Sequence, residues 1–204
     1  MQTTQTLDCP YQSPIAIVRK CTIETKHSRP LPKELVKEYV FDLESQNWLI
    51  EGKDITLVHN CRTFYLQRYH LHIPGEHTVD KDSFAAEAHF VFLPLDEAID
   101  AFVVGIPFQI GEASSWLNHV IQNQPFYLPF EHRESWGYTG SLTEPIDPPF
   151  NPTTPINWLL LSPQCISIEQ LEVLAEVSKP DRSLQDLDGR NVLHYKEGFI
   201  SLCC

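Results

Sequence analysis

Glycine is scarce in this chain, with 8 residues in 204 against 16 prolines, the reverse of their usual ratio. Proline ends regular elements and removes a backbone donor. Long helices are therefore disfavoured, and a β-rich or loop-rich chain is expected. Basic residues are also few: 15 Lys and Arg face 27 Asp and Glu, a formal charge of −12. That field repels polyanions, so nucleic acid is not an expected partner. No apolar run approaches the 18 residues of a membrane helix, so no membrane span is expected. The six cysteines, Cys9, Cys21, Cys61, Cys165, Cys203 and Cys204, contain no C-x-x-C pair. Mostly free thiols in a reducing compartment are expected. The opening Met-Gln-Thr-Thr-Gln-Thr-Leu-Asp has no basic or apolar leader character, which makes a cytoplasmic location the expectation. Internal repeats and low-complexity tracts are missing too.

What is present is globular: 42% apolar and 21% charged residues. At about 150 residues per domain, a single domain over 1–204 is expected. Five prolines between Pro145 and Pro155 suggest a linker. The stretch after Leu161 is too short for a core of its own, so this reads better as an extended loop within one domain. Strand signals dominate. Glu38–Leu43, Trp48–Glu51 and Asp54–Val58 are short and β-rich, Thr63–Ile73 alternates, and Phe84–Leu93, Ala101–Ile110 and Ile156–Leu161 are apolar. Two or three short helices are expected, two of them placed by their signals. One opens at Ser114 and runs through Trp116, Leu117, Val120 and Ile121. The other is capped by Ser167, with Gln170 completing a capping box.

Chemistry concentrates in Tyr69-His70-Leu71-His72, Pro74-Gly75-Glu76-His77 and Ala86-Glu87-Ala88-His89. Residues two apart on a strand share a face, so His70 and His72 project together, as do Glu87 and His89. If the two strands are neighbours, three imidazoles converge on one point. Zinc takes imidazole nitrogen at about 2.0–2.1 Å, and catalytic zinc keeps three protein ligands with one position open. A ligating histidine also needs a partner for its other nitrogen, which Glu87 supplies to His89. On spacing alone, a zinc site and a polar strand face both remain open.

The run from Leu66 to His89 resembles the core of the α-class carbonic anhydrases. Four more segments match that family in the same order: Gln12–Ile15, Val103–Ile106, Tyr138–Thr143 and Leu184–Arg190. The resemblance covers about Gln12 to Val192. It implies a mainly β, single-domain fold: a large, twisted, mostly antiparallel central sheet with a few short helices and a deep cleft. The implied activity is zinc-dependent reversible hydration of carbon dioxide to bicarbonate and a proton, with sulfonamides and anions as inhibitors. His70, His72 and His89 match the family's zinc ligands, and Glu87 the carboxylate that orients His89. Thr143 matches the threonine beside the reacting oxygen, and Glu76 its carboxylate partner. Val91, Val103, Leu142 and Trp158 match the apolar wall where carbon dioxide rests. The alternatives are a zinc-binding relative with weak or no catalysis that acts as a binding protein, and a metal-free β-rich binding module.

The chain departs from the family in several places. Arg68 stands where a glutamine usually precedes the first ligand, and a guanidinium has no acceptor for an imidazole N–H. Glu144 follows Thr143 in place of a second threonine, in a segment from Ser141 to Trp158 that is longer than usual. Phe150 follows Pro148-Pro149 where a cysteine is common, so Cys9 lacks its usual partner. The family's proton-shuttling histidine has no match; Asn47 or Trp48 stands nearest, and His27 and His59 are candidates by residue type alone.

Overall fold

The structure, a computed structural model, describes residues 11–25, 31–96, 100–130, 134–143 and 154–196. Among these residues the chain forms fifteen strands and two α-helices. Strands β1 (Ala16–Ile17), β2 (Ile23–Thr25) and β3 (Leu35–Val36) lead to β4 (Tyr39–Asp42), β5 (Asn47–Ile50) and β6 (Thr56–His59). The long β7 (Arg62–His72), then β8 (Thr78–Val79), β9 (Ala86–Pro94) and β10 (Ala101–Ile110) follow. Helix α1 (Ser115–Ile121) and β11 (Phe126–Tyr127) precede β12 (Ser135–Gly140), β13 (Ile156–Leu161) and β14 (Gln164–Ile166). Helix α2 (Ile168–Ala175) and β15 (Leu193–Tyr195) complete the set. The proline-rich stretch after Glu144, up to residue 153, lies outside the described residues, as do Cys9, His27, Cys203 and Cys204.

Eleven strands form one sheet in the order β2-β15-β12-β13-β10-β9-β7-β5-β4, with β14 also on β10 and β6 also on β7. Seven of its ten pairings are antiparallel; β10–β13, β10–β14 and β15–β2 are parallel. The sheet is thus mainly antiparallel, as expected. The apolar run from Ala101 to Phe108 is buried throughout, because β10 has a strand on each side and packed residues on both faces.

Two cores cover the two faces. One gathers Phe64, Leu66, Tyr69, Leu71, Phe90, Phe92, Val104, Ile106 and Phe108 with Trp116, Leu117 and Leu174 from the helices. The other holds Val91, Val103, Tyr138, Trp158 and Leu160. A bulge decides which face the histidines of β7 take. Even-numbered Phe64 and Leu66 point into the first core, but so do odd-numbered Tyr69 and Leu71. The register against β9 slips between Leu66 and Arg68, leaving Gln67 as the extra residue. That one-residue insertion shifts the alternation, so His70 and His72 turn away from the aromatic core to the opposite face.

The helices sit where their signals place them. Ser167 Oγ accepts the Gln170 N–H at 3.2 Å, and Gln170 Oε1 accepts the Ser167 N–H at 3.3 Å, completing the capping box. Gln170 also reaches α1: its Oε1 accepts the Ser114 N–H at 2.8 Å, and its Nε2 donates to the Ser114 carbonyl and Asn118 Oδ1, both at 2.7 Å. One buried amide thus caps one helix and ties down the start of the other. Gln170→Ala should lower the unfolding free energy by about 1–3 kcal/mol in urea titration. Metal uptake should be unchanged, because the helices pack on the opposite face of the sheet from His70 and His72.

Candidate metal centre

Strands β7 and β9 are antiparallel neighbours, with His70 directly opposite His89 and His72 opposite Glu87. The ring centroids of His70, His72 and His89 lie 4.8–5.2 Å apart, and all three residues are buried. One ring nitrogen from each lies within 4.8 Å of those of the others. The condition left open by spacing alone, adjacency of the two strands, is therefore met.

Hydrogen bonds fix which nitrogen His72 and His89 offer. His72 Nδ1 lies 2.8 Å from the Pro180 carbonyl, which can only accept, so Nδ1 carries the proton. Nε2 of His72 is buried with no protein partner and keeps its lone pair for a ligand. His89 Nε2 donates to Glu87 Oε1 at 2.8 Å, which leaves Nδ1 as its donor atom. Burial, followed by the nearby His89 and His70, depresses the His72 pKa to about 2, so His72 is neutral. Neutral imidazoles with aimed lone pairs are what zinc takes, and the donor set fits that ion.

Glu87 is fully buried and receives four donors. Besides His89, its Oε1 accepts from His77 Nδ1 at 2.6 Å. Its Oε2 accepts the backbone N–H groups of Glu76 at 3.1 Å and His77 at 2.9 Å. Burial alone would raise its pKa, but His77 and His89 outweigh this and hold the carboxyl well below its ordinary range. A second cluster of possible ligands, His77, Glu87 and His89, overlaps the first. It is not a second centre: His77 is spent on Glu87 and, through Nε2, on the Tyr138 hydroxyl at 2.6 Å.

Glu76 lies beside the histidines, with Oε1 3.5 Å from His72 Nδ1 and Oε2 3.9 Å from His89 Nε2. Burial, and then Glu87, raise its pKa; His89, the Thr143 hydroxyl and the Arg182 N–H act in the opposite direction. The Arg182 N–H donates to Oε1 at 2.9 Å. Val91 pairs with Val103, and Val103 with Trp158, which makes a row across the same face. The Trp158 indole packs against His89 with centroids 4.8 Å apart, and half-buried Leu142 joins the cluster.

The curated relatives that the chain resembles in sequence are carbonic anhydrases. A carbonic anhydrase of Neisseria gonorrhoeae is 30% identical over 206 residues, which covers 89% of this chain and 76% of its own. One from Pectobacterium atrosepticum is 31% identical over 158 residues, 68% of this chain and 62% of its own. The chain belongs to the α-carbonic anhydrase family. Among solved structures, an α-carbonic anhydrase of Thermovibrio ammonificans in complex with the inhibitor sulfanilamide superposes with a TM-score of 0.74 at 26% identity, covering 90% of this chain and 87% of that one. The Photobacterium profundum enzyme gives 0.71 at 26% identity, covering 90% and 88%. The chain spans 62% of the length of the Pectobacterium relatives it matches. A scan against family models finds no match.

All ten residues singled out from the sequence fall in this region of the fold. The shuttle positions do not. Trp48 faces the aromatic core, stacked on Tyr69 at 5.0 Å and 2°, and Asn47 is buried. The neighbour of Arg68 on β5, on the face that carries His70 and His72, is exposed Leu49. His59 is buried against Phe102 and Phe64 of the opposite face, and Glu144 lies outside the described residues. Among the described residues, Cys21, Cys61 and Cys165 are free thiols.

Sequence reasoning gave no role to several residues that hold the family's motifs together. Tyr138 Oη donates to Ser13 Oγ at 2.9 Å, Ser13 and Ser141 bond each other, and Trp158 Nε1 donates to the Ser141 carbonyl at 2.9 Å. Arg182 Nη1 binds the carbonyls of Ser13 and Leu142. The signal was that Ser13, Tyr138 and Ser141 sit inside matched motifs, whereas Arg182 lies outside them; their partners are 17 to 169 residues away in the chain. Chelator-stripped protein should take up one zinc per chain by elemental analysis. Glu87→Gln should weaken that affinity about 10–100-fold in competition with a chelator, and His89→Ala should weaken it further.

Proposed function

We propose that the chain hydrates carbon dioxide reversibly to bicarbonate and a proton, with a zinc ion held by His70, His72 and His89. The observation that carries this reading is the convergence of three buried imidazoles beside Thr143–Glu76 and an apolar wall. Zinc bound there would act as a Lewis acid, making a water ionise near neutral pH.

The chain's own residues supply the rest. Glu87 holds His89 in the tautomer that offers Nδ1, and the Pro180 carbonyl does the same for Nε2 of His72. An ionised Glu76 can only accept, so the Thr143 hydroxyl donates to it. The Thr143 oxygen is then left to accept a hydrogen bond, and would orient an oxygen nucleophile with a lone pair toward carbon dioxide. Val91, Val103, Leu142 and Trp158 offer carbon dioxide, which has no net dipole, a dry surface beside that oxygen. Each turnover must also export a proton, and a group titrating near the working pH does this best. The row leading outward on this face carries Val91, Arg68, Leu49 and Val40, none of which exchanges protons near neutrality. Buffer takes over that task.

Stopped-flow hydration on the zinc-loaded protein tests the proposal directly. Activity inhibited by sulfanilamide is expected; zinc uptake without activity would leave a binding protein. Thr143→Ala and Glu76→Gln should each lower the rate with zinc retained, and the double variant should be little worse than the worse single one. The maximal rate should rise with imidazole-type buffer at fixed pH and ionic strength. Leu49→His should flatten that dependence, whereas Trp48→His should not, because position 48 faces the core.

A further inference from the structure

Arg68 spends its charge unlike the other arginines described. Arg19 pairs with Asp80 and Glu134, and Arg62 with Asp96 and Asp100. Arg182 and Arg190 bind backbone carbonyls. Arg68 instead donates Nη1 to the neutral side-chain amide oxygen of Gln67 at 2.6 Å, and among the described residues it has no carboxylate partner. Its Nε is buried with no acceptor. A buried donor left unfilled is costly, and in a folded protein it asks for a ligand or an ordered water.

The position is set by the strands. Arg68 is two residues before His70, hence on the same face, and about 7 Å back along β7. It lies between Val91 of β9 and Leu49 of β5. Its side neighbours are thus apolar, and the Gln67 bulge that turns His70 inward turns Arg68 with it. A guanidinium edge that includes Nε gives two parallel N–H bonds, the geometry that fits the two oxygens of a planar carboxylate or bicarbonate.

We propose that Arg68 forms an anion subsite on the cleft wall that receives bicarbonate, through Nε, on its way to or from the centre. The choice of bicarbonate rests on the carbon dioxide reading above; the subsite itself rests on Arg68. It makes Arg68 a specificity-determining residue that raises affinity for small oxyanions, at the expense of slower product release.

The test follows the Arg68 Nε–Hε signal by ¹H–¹⁵N NMR, assigned through its loss in Arg68→Gln. Sodium bicarbonate is titrated at constant ionic strength into metal-free and zinc-loaded wild-type protein. A saturable shift is expected in both. Arg68→Gln should bind bicarbonate about fivefold to tenfold more weakly by calorimetry, with Arg68→Lys in between because it keeps the charge but loses the fork. A signal that stays flat while bicarbonate is added, or equal affinity in wild type and Arg68→Gln, overturns the subsite and leaves water alone at Nε. Zinc content is measured on the same samples. Protein that takes up no zinc overturns the hydration reading, and the metal-free titration still decides the subsite.

Discussion

The carboxylate of Glu87 is the constraint on which the site depends. It is fully buried and carries a charge, which is tolerable only because four N–H groups converge on its two oxygens. Each donor belongs to a different task. His89 is held in one tautomer, the backbone at Glu76 and His77 is pinned under the sheet, and the His77 ring carries the chain of contacts on to Tyr138 and Ser13. Room for this carboxylate comes from Gly105, opposite His89 on β10. A Cβ there would lie 2.9 Å from Leu160 Cδ1 and 3.3 Å from Glu87 Oε1. The glycine in the Val103–Ile106 motif is thus a space requirement set first by Leu160 and then by the buried carboxylate.

The same web sets where the Thr143 loop lies. Ser13 and Ser141 exchange hydrogen bonds, Arg182 binds carbonyls on both segments, and its backbone N–H binds Glu76. Three loops far apart in sequence are locked to one another and to the carboxylate beside the histidines. Gly140 marks how close they come: a Cβ at that position would fall 2.0 Å from Ser13 Oγ.

What could be read in the sequence was what is local. The two-residue periodicity of His70 and His72, and of Glu87 and His89, needs only strand geometry, and the Ser167–Gln170 box needs only one helical turn. The long apolar runs of β9, β10 and β13 announce themselves for the same reason. The bulge at Gln67 did not, because a single extra residue leaves no trace in composition. Yet it decides that odd-numbered Tyr69 and even-numbered Leu66 share a core. Position 48 was misplaced by the same kind of ambiguity: a one-residue slip along a short strand exchanges core-facing Trp48 for cleft-facing Leu49. Contacts such as Arg182 to Ser13 were out of reach because they form only when the sheet is assembled.

Electrostatics then explains why such a site stays ready for a cation. Burial removes the water that would stabilise a protonated His72, and the neighbouring His89 and His70 disfavour its charge further; the His72 pKa of about 2 expresses both. Protons therefore compete poorly for its lone pair from acid to neutral pH, while a dication recovers the cost of burial by direct coordination. Glu87, held ionised, places negative charge behind the imidazoles. The chain as a whole carries −12, a field that small neutral molecules do not feel and anions do. Against that field the Arg68 guanidinium, on the proposal above, would hold an anion back on the face of the sheet that carries the histidines instead of letting it be expelled.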